Sequence, residues 1–136
     1  MIPGLISKHC LLDRLLHHGH HRFLSSVEVF DDVSKQWYPL PPLLHPRAGL
    51  ALTGHRGRLY AVGGWRDHQY VGEVESWDPL TNTWSALPPL LHTRAKHGLV
   101  SVKEGGEEAL LAIAGVSGFR QKDNLDSIER YHLVLI

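Results

Sequence analysis

The 136-residue sequence contains a single cysteine, Cys10, and carries no net charge. A lone cysteine excludes an internal disulfide and therefore a disulfide-stapled secreted scaffold, so we expect a location in the cytoplasm or the nucleus. The 14 basic residues offset the 14 acidic residues. This balance removes the bulk electrostatic attraction toward nucleic acid or an anionic membrane, and we expect neither as a partner.

Long apolar runs are also missing. The longest, near residues 11–16 and 133–136, are far shorter than the roughly 18 residues that a membrane helix needs. Charged residues such as Lys8, Asp13 and Arg14 interrupt the N-terminal segment, which makes it a poor signal peptide. With 43% hydrophobic residues, the sequence instead predicts one soluble folded domain.

Motifs of catalysis are missing as well. The sequence has no Gly-x-Ser-x-Gly nucleophile elbow and no glycine-rich phosphate loop, and the doublet Gly63-Gly64 is too short to be one. The adjacent carboxylates Glu107 and Glu108 are expected in a turn, where successive side chains do not converge on a substrate. The sequence therefore predicts no catalytic residue, no resident metal and no cofactor.

Internal repetition is the main feature that the sequence does have, and it determines the predicted fold. Residues 27–31 align with residues 74–78 after a step of 47 positions, and the proline-rich segment 40–48 matches residues 87–95 in the same register. Downstream, residues 61–64 align with residues 112–115, and residues 74–77 with residues 128–131. A period near 50 residues built from short β runs indicates propeller blades of four strands each.

The second repeat is the most complete. Its strands are predicted near residues 50–53, 59–62, 73–77 and 83–86, each bounded by glycine or proline. The doublet Gly63-Gly64 suits a position where no side chain fits or where φ must be positive.

This pattern resembles the kelch repeat, in which a hydrophobic run is followed by a double glycine, a variable loop, an aromatic residue and a later tryptophan. Residues 59–62, Gly63, Gly64, Trp77 and Trp84 supply each part. The resemblance covers roughly residues 24–132. It implies an all-β fold, a partial kelch β-propeller of four-stranded antiparallel blades, with one blade complete and two incomplete.

Both ends of the sequence depart from the repeat. By the step of 47, the counterparts of the doublet in the first repeat are Leu16 and His17, so neither the glycines nor the strand before them is recognised. In the third repeat, the position of the later tryptophan falls past Ile136. We therefore expect a fragment or shortened isoform with a partial blade at residues 23–41, a complete blade at 49–88 and a partial blade at 97–136.

Residues 1–22 do not follow the repeat. Leucines at positions 11, 12, 15 and 16 have helical spacing, so the segment is expected to be irregular or a short helix, with an altered pair of strands as the alternative. The histidine-rich segment, residues 17–21, contains four of the eleven histidines. It is predicted to be a solvated loop, and weak binding of Zn²⁺ or Cu²⁺ is the alternative.

Residues that recur at equivalent positions are predicted to serve the repeat rather than a ligand. Arg47 and Arg94 are expected to bond carbonyls or to pair with an acid such as Glu75 or Glu28, and the tryptophans at 37, 77 and 84 are expected in the core. The residues assigned to the repeat structure are Trp37, Arg47, Gly63, Gly64, Trp77, Trp84, Arg94, Gly115 and Tyr131.

Partner binding is predicted in the insert between the second and third strands of a blade, because this insert and the inter-blade link are expected on one face. The inserts at residues 65–70 and 116–123 both place an aromatic residue next to an arginine, a combination that is enriched at binding hot spots. The alternative is that these loops are polar only because they are solvated. The predicted partner-binding residues are Trp65, Arg66, Asp67, His68, Tyr70, Phe119, Arg120 and Lys122.

Two classes of function follow. The first is a non-catalytic module that binds a protein partner through its blade loops. Resemblance to kelch-like proteins implies that a longer relative is a substrate adaptor of a cullin-type ubiquitin ligase or an actin-associated, cytoskeletal protein. The second is a fragment of a propeller enzyme or of a metal-binding protein that uses the histidine-rich segment. The resemblance favours the first class.

Overall fold

The computed structural model describes residues 6–8, 12–14, 21–118, 120 and 123–133, with side-chain surroundings from residue 23 onward. These residues form antiparallel β-sheets, and none of them belongs to an α-helix, which confirms the predicted all-β class. The strands are β1 (Ile6–Lys8), β2 (Leu12–Arg14), β3 (His21–Phe23), β4 (Val27–Asp31), β5 (Gln36–Leu40), β6 (Ala51–His55), β7 (Arg58–Arg66), β8 (Gln69–Asp78), β9 (Thr83–Leu87), β10 (Gly98–Glu104), β11 (Glu107–Ile113) and β12 (Ile128–His132).

The strands form three successive blades. Blade 1 is the sheet β1-β4-β5, and β2 and β3, which lie between β1 and β4 in the sequence, form a separate two-stranded sheet. Blade 2 is the four-stranded sheet β6-β7-β8-β9, and blade 3 is the sheet β10-β11-β12. Blades 2 and 3 are meanders of antiparallel strands that are neighbours in the sequence, so their register is set locally.

Strand register supports the sequence alignment of the second and third repeats. Ala61 pairs with Glu75 in blade 2, and Ala112 pairs with Glu129 in blade 3. These are the pairs that the alignment makes equivalent. The two blades therefore share one hydrogen-bonding scheme, and the extra residues of blade 3 lie between β11 and β12.

The first repeat differs from its predicted alignment. Ile6 pairs with Phe30 as Leu59 pairs with Trp77, so β1 is the counterpart of β7 and a strand does precede the histidine-rich segment. By this pairing the counterparts of the glycine doublet are residues 10 and 11, not Leu16 and His17, and all four lie outside the described residues. Residues 12–14 form β2. This agrees with the strand alternative and not with a helix at these positions.

β7 and β8 are longer than predicted because the glycine doublet does not end β7. The pairing of the two strands shifts by a β-bulge between Val62 and Gly64 and then continues to Arg66 and Gln69. Gly63 has φ +69° and Gly64 φ +125°, values that side chains disfavour. The predicted insert is therefore mostly the outer part of a β-hairpin rather than a loop.

The core lies between the blades, because successive residues of a strand point to opposite faces. Leu59 and Ala61 face blade 1, whereas Tyr60 and Val62 face blade 3. Trp77 and Trp84 are 4% and 6% exposed and pack in the cluster between blades 1 and 2. The two clusters are Val27, Leu43, Leu50, Leu59, Ala61, Trp77 and Trp84, and Tyr60, Val62, Val74, Leu90, Leu110 and Ala112.

The prediction that Trp37 belongs to the core is wrong. Trp37 is 38% exposed, although its ring lies 5.1 Å from that of Phe30. Its counterpart Trp84 is buried because blade 1 packs against blade 2. The buried indole Nε1 of Trp84 donates to Pro41 O at 2.8 Å. The face of blade 1 that carries Trp37 has no blade against it among the described residues.

Candidate functional site

Arg47 connects the link between blades 1 and 2 to blade 2 through hydrogen bonds and an ion pair. Its guanidinium is fully buried, with Nε donating to Gly63 O at 2.7 Å and Nη2 to Ala61 O at 3.1 Å. Nη1 forms an ion pair with the buried carboxylate of Glu75, which also accepts from Leu44 N at 2.6 Å. Buried charges persist when they are paired and hydrogen-bonded in this way.

Arg94 repeats this arrangement on blade 3. It is also fully buried and donates from Nη1 to Ala114 O at 2.9 Å and to Ser127 O at 3.2 Å. Its acid, Glu129, is more distant at 3.7 Å and its side chain is 10% exposed. Arg94 therefore depends more on carbonyls and less on its ion pair than Arg47 does.

His97 lies between the glycines of two blades. A Cβ built on Gly63 would be 2.6 Å from its Cε1, and a Cβ built on Gly115 would be 2.8 Å from its Cβ. Burial, together with the positive charge of Arg94, lowers the pKa of His97 from 6.5 to about 4. The imidazole is therefore neutral at pH 7 and packs between blades 2 and 3.

Acidification should destabilise the protein through His97. An unfolded imidazole titrates near pH 6.5, so between pH 6.5 and 4 the unfolded chain binds a proton that the folded chain does not. We expect the free energy of unfolding to fall by about 2 kcal/mol over this range, after reduction for solvent screening. Urea unfolding at several pH values checks this. His97→Gln should flatten the dependence, whereas replacing the exposed His92 should not; an unchanged slope in His97→Gln would contradict the assignment.

The predicted partner-binding residues of blade 2 lie together at the tip of the β7–β8 hairpin. Asp67 and His68 form its turn with φ +48° and +62° and are exposed, as a tight hairpin turn of this kind requires. Arg66 is not a free cation, because it pairs with Glu73. Trp65 is half-buried, with its ring 5.1 Å from Phe23 in an edge-to-face contact.

A surface cavity of about 230 Å³ opens beside this hairpin. Trp65 and Tyr70 form its aromatic wall, and the exposed Lys96 also lines it. The other lining residues come from two successive links, Ala48 with Gly49 and Ala95. Ala48 exchanges two backbone hydrogen bonds with Trp65, at 3.0 and 2.8 Å, so link and hairpin share one face.

The sequence analysis missed the link residues of this cavity. Gly49 and Lys96 are equivalent in the alignment and both have positive φ, +65° and +53°. Lys96 N donates to Gly49 O at 2.8 Å, so that successive links stack. In the sequence, the equivalence of Gly49 and Lys96 is indicated only by the Arg-Ala pair that precedes each of them. A glycine can indicate a left-handed backbone conformation, but a lysine does not.

The second predicted group, in blade 3, is only partly described. Phe119 and Lys122 lie outside the described residues. Arg120 is exposed in a turn that closes on Asp123, whose Oδ2 accepts from Arg120 N at 3.0 Å. The structure therefore places Arg120 in this separate turn and does not assign it to the cavity of blade 2.

Glu108 is a further residue whose role differs from its prediction. Glu107 and Glu108 begin β11 rather than lying in a turn. Glu108 is 3% exposed. Its carboxylate lies 2.9 Å from His55 Nε2 and forms an ion pair with Arg56. These partners, the hydrogen bond to His55 first, lower the pKa of Glu108. Glu108 thus joins blades 2 and 3.

Metal sites and membrane-spanning helices can be sought only among the described residues. Within that part of the chain, no group of three or more His, Cys, Asp or Glu residues is placed to hold a metal ion. Residues 17–20 lie outside it, and the side chain of His21 is not described, so the histidine-rich segment is not tested. None of the described residues forms a helix with the length and hydropathy of a membrane span.

Comparison with protein families agrees with the blade architecture. The family described as Kelch motif matches residues 17–44 and 46–91, more than half of the chain. The chain belongs to the kelch-repeat family. The match covers β3 to β9 and the link between blades 1 and 2, which include Arg47, the glycine doublet and both buried tryptophans. Kelch repeats indicate a protein-interaction propeller module.

A solved structure described as "Structure of YjhT" has the same fold over part of its length. It superposes with a TM-score of 0.57 and 24% sequence identity, covering 68% of this chain and 29% of that chain. The kelch chain thus spans less than a third of that protein, and at this identity the likeness concerns the fold alone. A search of curated proteins found no significant match.

Proposed function

We propose that this kelch chain is a non-catalytic protein-interaction module that binds its partner at the cavity beside the β7–β8 hairpin. The observation that carries the proposal is that Trp65, Tyr70 and the exposed Lys96 line one cavity. Aromatic side chains that are half-buried before binding lose little conformational entropy when a partner covers them.

The chemistry of the cavity selects a partner segment with a carboxylate next to an apolar side chain. Lys96 supplies a positive charge, whereas Arg66 is already neutralised by Glu73. The aromatic wall buries the apolar group, and the ammonium binds the carboxylate. Asp67 and His68 at the hairpin tip contact the rim of such a partner.

Reversing the charge of Lys96 tests this proposal. Peptides selected from a random display library against the immobilised chain are expected to contain Asp or Glu beside an aromatic or aliphatic residue. Lys96→Glu should weaken their binding at least tenfold, because attraction becomes repulsion at a partly desolvated site. Fluorescence anisotropy with labelled peptides measures the change.

Lys35→Glu is the matched control. Lys35 is also an exposed lysine with positive φ, +59°, but lies in the turn between β4 and β5. Binding should be retained in this variant. Selected peptides that bind both variants equally, or that lack acidic residues, would show that the cavity is not the binding site.

The biological setting that we propose rests on family resemblance. In a longer form, the chain would serve as part of a substrate adaptor of a cullin-type ubiquitin ligase or associate with the cytoskeleton, in the cytoplasm or nucleus. We expect a cullin to co-purify with the longer form. The variant Lys96→Glu should abolish binding of the substrate but leave binding of the cullin unchanged. Absence of a cullin would remove the adaptor proposal and leave the module.

A further inference from the structure

The turn of the β7–β8 hairpin has a backbone conformation that is unfavourable for its residues. It consists of Asp67 and His68 alone, because Arg66 and Gln69 form the last pair of the two strands. Both turn residues have positive φ, +48° and +62°. Two-residue turns of this type favour Asn-Gly, since glycine adopts positive φ without a steric penalty. A carboxylate and an imidazole here therefore carry a conformational cost, which is typical of side chains that make a functional contact.

His68 extends the aromatic wall of the cavity beside the hairpin. Its ring centre lies 6.0 Å from that of Trp65, and the two ring planes are nearly perpendicular at 85°. Phe23 makes a second edge-to-face contact with Trp65 at 5.1 Å. Trp65 is thus contacted by two rings, and the exposed imidazole of His68 continues the wall of Trp65 and Tyr70 as far as the turn.

Asp67 adds a negative charge that its neighbour does not neutralise. The side chain is exposed, and the adjacent Arg66 pairs with Glu73 instead. No ion pair joins Asp67 to another of the described residues. A carboxylate beside aromatic rings suits a guanidinium group, because this cation binds a carboxylate through two parallel hydrogen bonds and stacks on a ring through its flat face.

Opposite charges lie at the two ends of the aromatic wall. The links contact the base of the hairpin, where Trp65 exchanges backbone hydrogen bonds with Ala48 and Gly64 N donates to Arg94 O at 2.8 Å. Lys96 belongs to the second of these links and lines the cavity. The turn with Asp67 lies at the other end of the hairpin. A bound segment therefore meets a cation on the side of the links and an anion on the side of the turn.

We propose that Asp67 and His68 form a subsite that binds an arginine side chain of the partner segment. The inference rests on the proposed function and adds a second charge to the partner. The arginine lies on the opposite side of the apolar side chain from the carboxylate that Lys96 binds. Its guanidinium pairs with Asp67 and stacks on the ring of His68. A lysine fits less well, because an ammonium group has neither the fork of donors nor the flat face.

The charges of the site disfavour a nucleic acid as the occupant. A chain of phosphates that reached Lys96 would also pass Asp67, where like charges repel. A peptide with one acidic and one basic residue matches both ends of the wall. The two charges also fix the direction in which such a peptide binds, because the reversed peptide would place like charges together at both ends.

The peptides selected by display against the immobilised whole chain test this inference. Each is expected to contain an arginine that the apolar residue separates from the acidic residue. Replacing the arginine with citrulline, a neutral group of nearly the same shape, should weaken binding about fivefold, the size expected of a partly solvated ion pair. Selected peptides with an acidic residue but no arginine would overturn this inference and leave the proposed function standing.

A double-mutant cycle assigns the arginine to Asp67. Asp67→Asn keeps the turn, because asparagine tolerates positive φ. This variant should weaken the arginine peptide about fivefold and leave the citrulline peptide unchanged. Lys96→Glu should weaken both peptides alike, so the two subsites can fail independently. Glu104→Gln removes an exposed charge at the end of β10 and is the matched control, with both affinities unchanged. Equal loss of both peptides in Asp67→Asn would contradict the assignment.

His68→Gly separates recognition from the structure of the turn. Glycine suits the positive φ of this position, so the midpoint of thermal unfolding should not fall. Binding of the arginine peptide should weaken about threefold, because the guanidinium loses the ring on which it stacks. Fluorescence anisotropy and circular dichroism measure the two effects on the same protein. A lower midpoint with unchanged binding would show that the imidazole serves only the turn, and would remove His68 from the subsite.

Discussion

Replacing Glu75 with leucine is expected to lower the free energy of unfolding by about 3–5 kcal/mol. The substitution leaves the guanidinium of Arg47 buried without its carboxylate, since both side chains are at most 1% exposed. It also removes the acceptor of Leu44 N. Removing one partner of a buried ion pair costs more than the pair contributes, because the remaining charge stays desolvated. Urea unfolding measures the change, and loss of a cooperative transition is the extreme form of the same result.

Glu129→Leu is the matched control for this prediction. Glu129 is the counterpart of Glu75, but it is partly exposed and lies 3.7 Å from Arg94. We expect a smaller cost, about 2 kcal/mol, because Arg94 keeps the carbonyls of Ala114 and Ser127 as acceptors although Leu91 N and His92 N lose theirs. The double substitution Arg47→Leu with Glu75→Leu should recover part of the loss, although the carbonyls of Ala61 and Gly63 then lose the hydrogen bonds from Arg47. Equal costs for the two single substitutions would contradict the role of burial.

Replacing Gly63 with alanine is expected to cost about 3 kcal/mol. Its φ of +69° is unfavourable for any side chain, and a Cβ would lie 2.4 Å from Arg94 O and 2.6 Å from Cε1 of His97. The backbone conformation contributes about 1–2 kcal/mol and the enforced overlap the rest. Because Arg94 and His97 belong to the next link, the blades would have to move apart.

Gly105→Ala isolates the backbone contribution. Gly105 has φ +59°, but a Cβ there meets nothing within 4 Å. Its cost should be about 1 kcal/mol. Thermal unfolding followed by circular dichroism compares the two variants. A cost for Gly63→Ala no greater than for Gly105→Ala would show that the blades tolerate the added atom.

The parts of the fold that could be predicted are those that the repeat encodes locally. Residues 61–64 and 112–115 are aligned in the sequence, and the last two residues of each have positive φ. The equivalence of Arg47 and Arg94 pointed to a shared structural role. Both arginines bond carbonyls of the blade that follows them. Local signals suffice here because meandering antiparallel strands pair with their sequence neighbours.

The errors concern properties that depend on a neighbour. Trp37 and Trp84 are equivalent in sequence, yet among the residues that the structure describes a packed blade covers Trp84 and not Trp37. The doublet Gly63-Gly64 suggested a strand end, but positive φ at both residues instead produces a bulge that β7 passes through. The candidate site depends on Lys96, whose approach to Trp65 arises from the stacking of two links that no local pattern reveals.

The links also bear on how such repeats can be exchanged. Arg47 belongs to the link that precedes blade 2, but its acid and its carbonyls belong to blade 2, and Pro41 O accepts from Trp84 of that blade. A segment cut at residues 49 and 88 would divide these bonds, whereas one cut at residues 41 and 88 carries all of them. The unit that can be duplicated or grafted intact therefore begins at the proline pair rather than at the first strand.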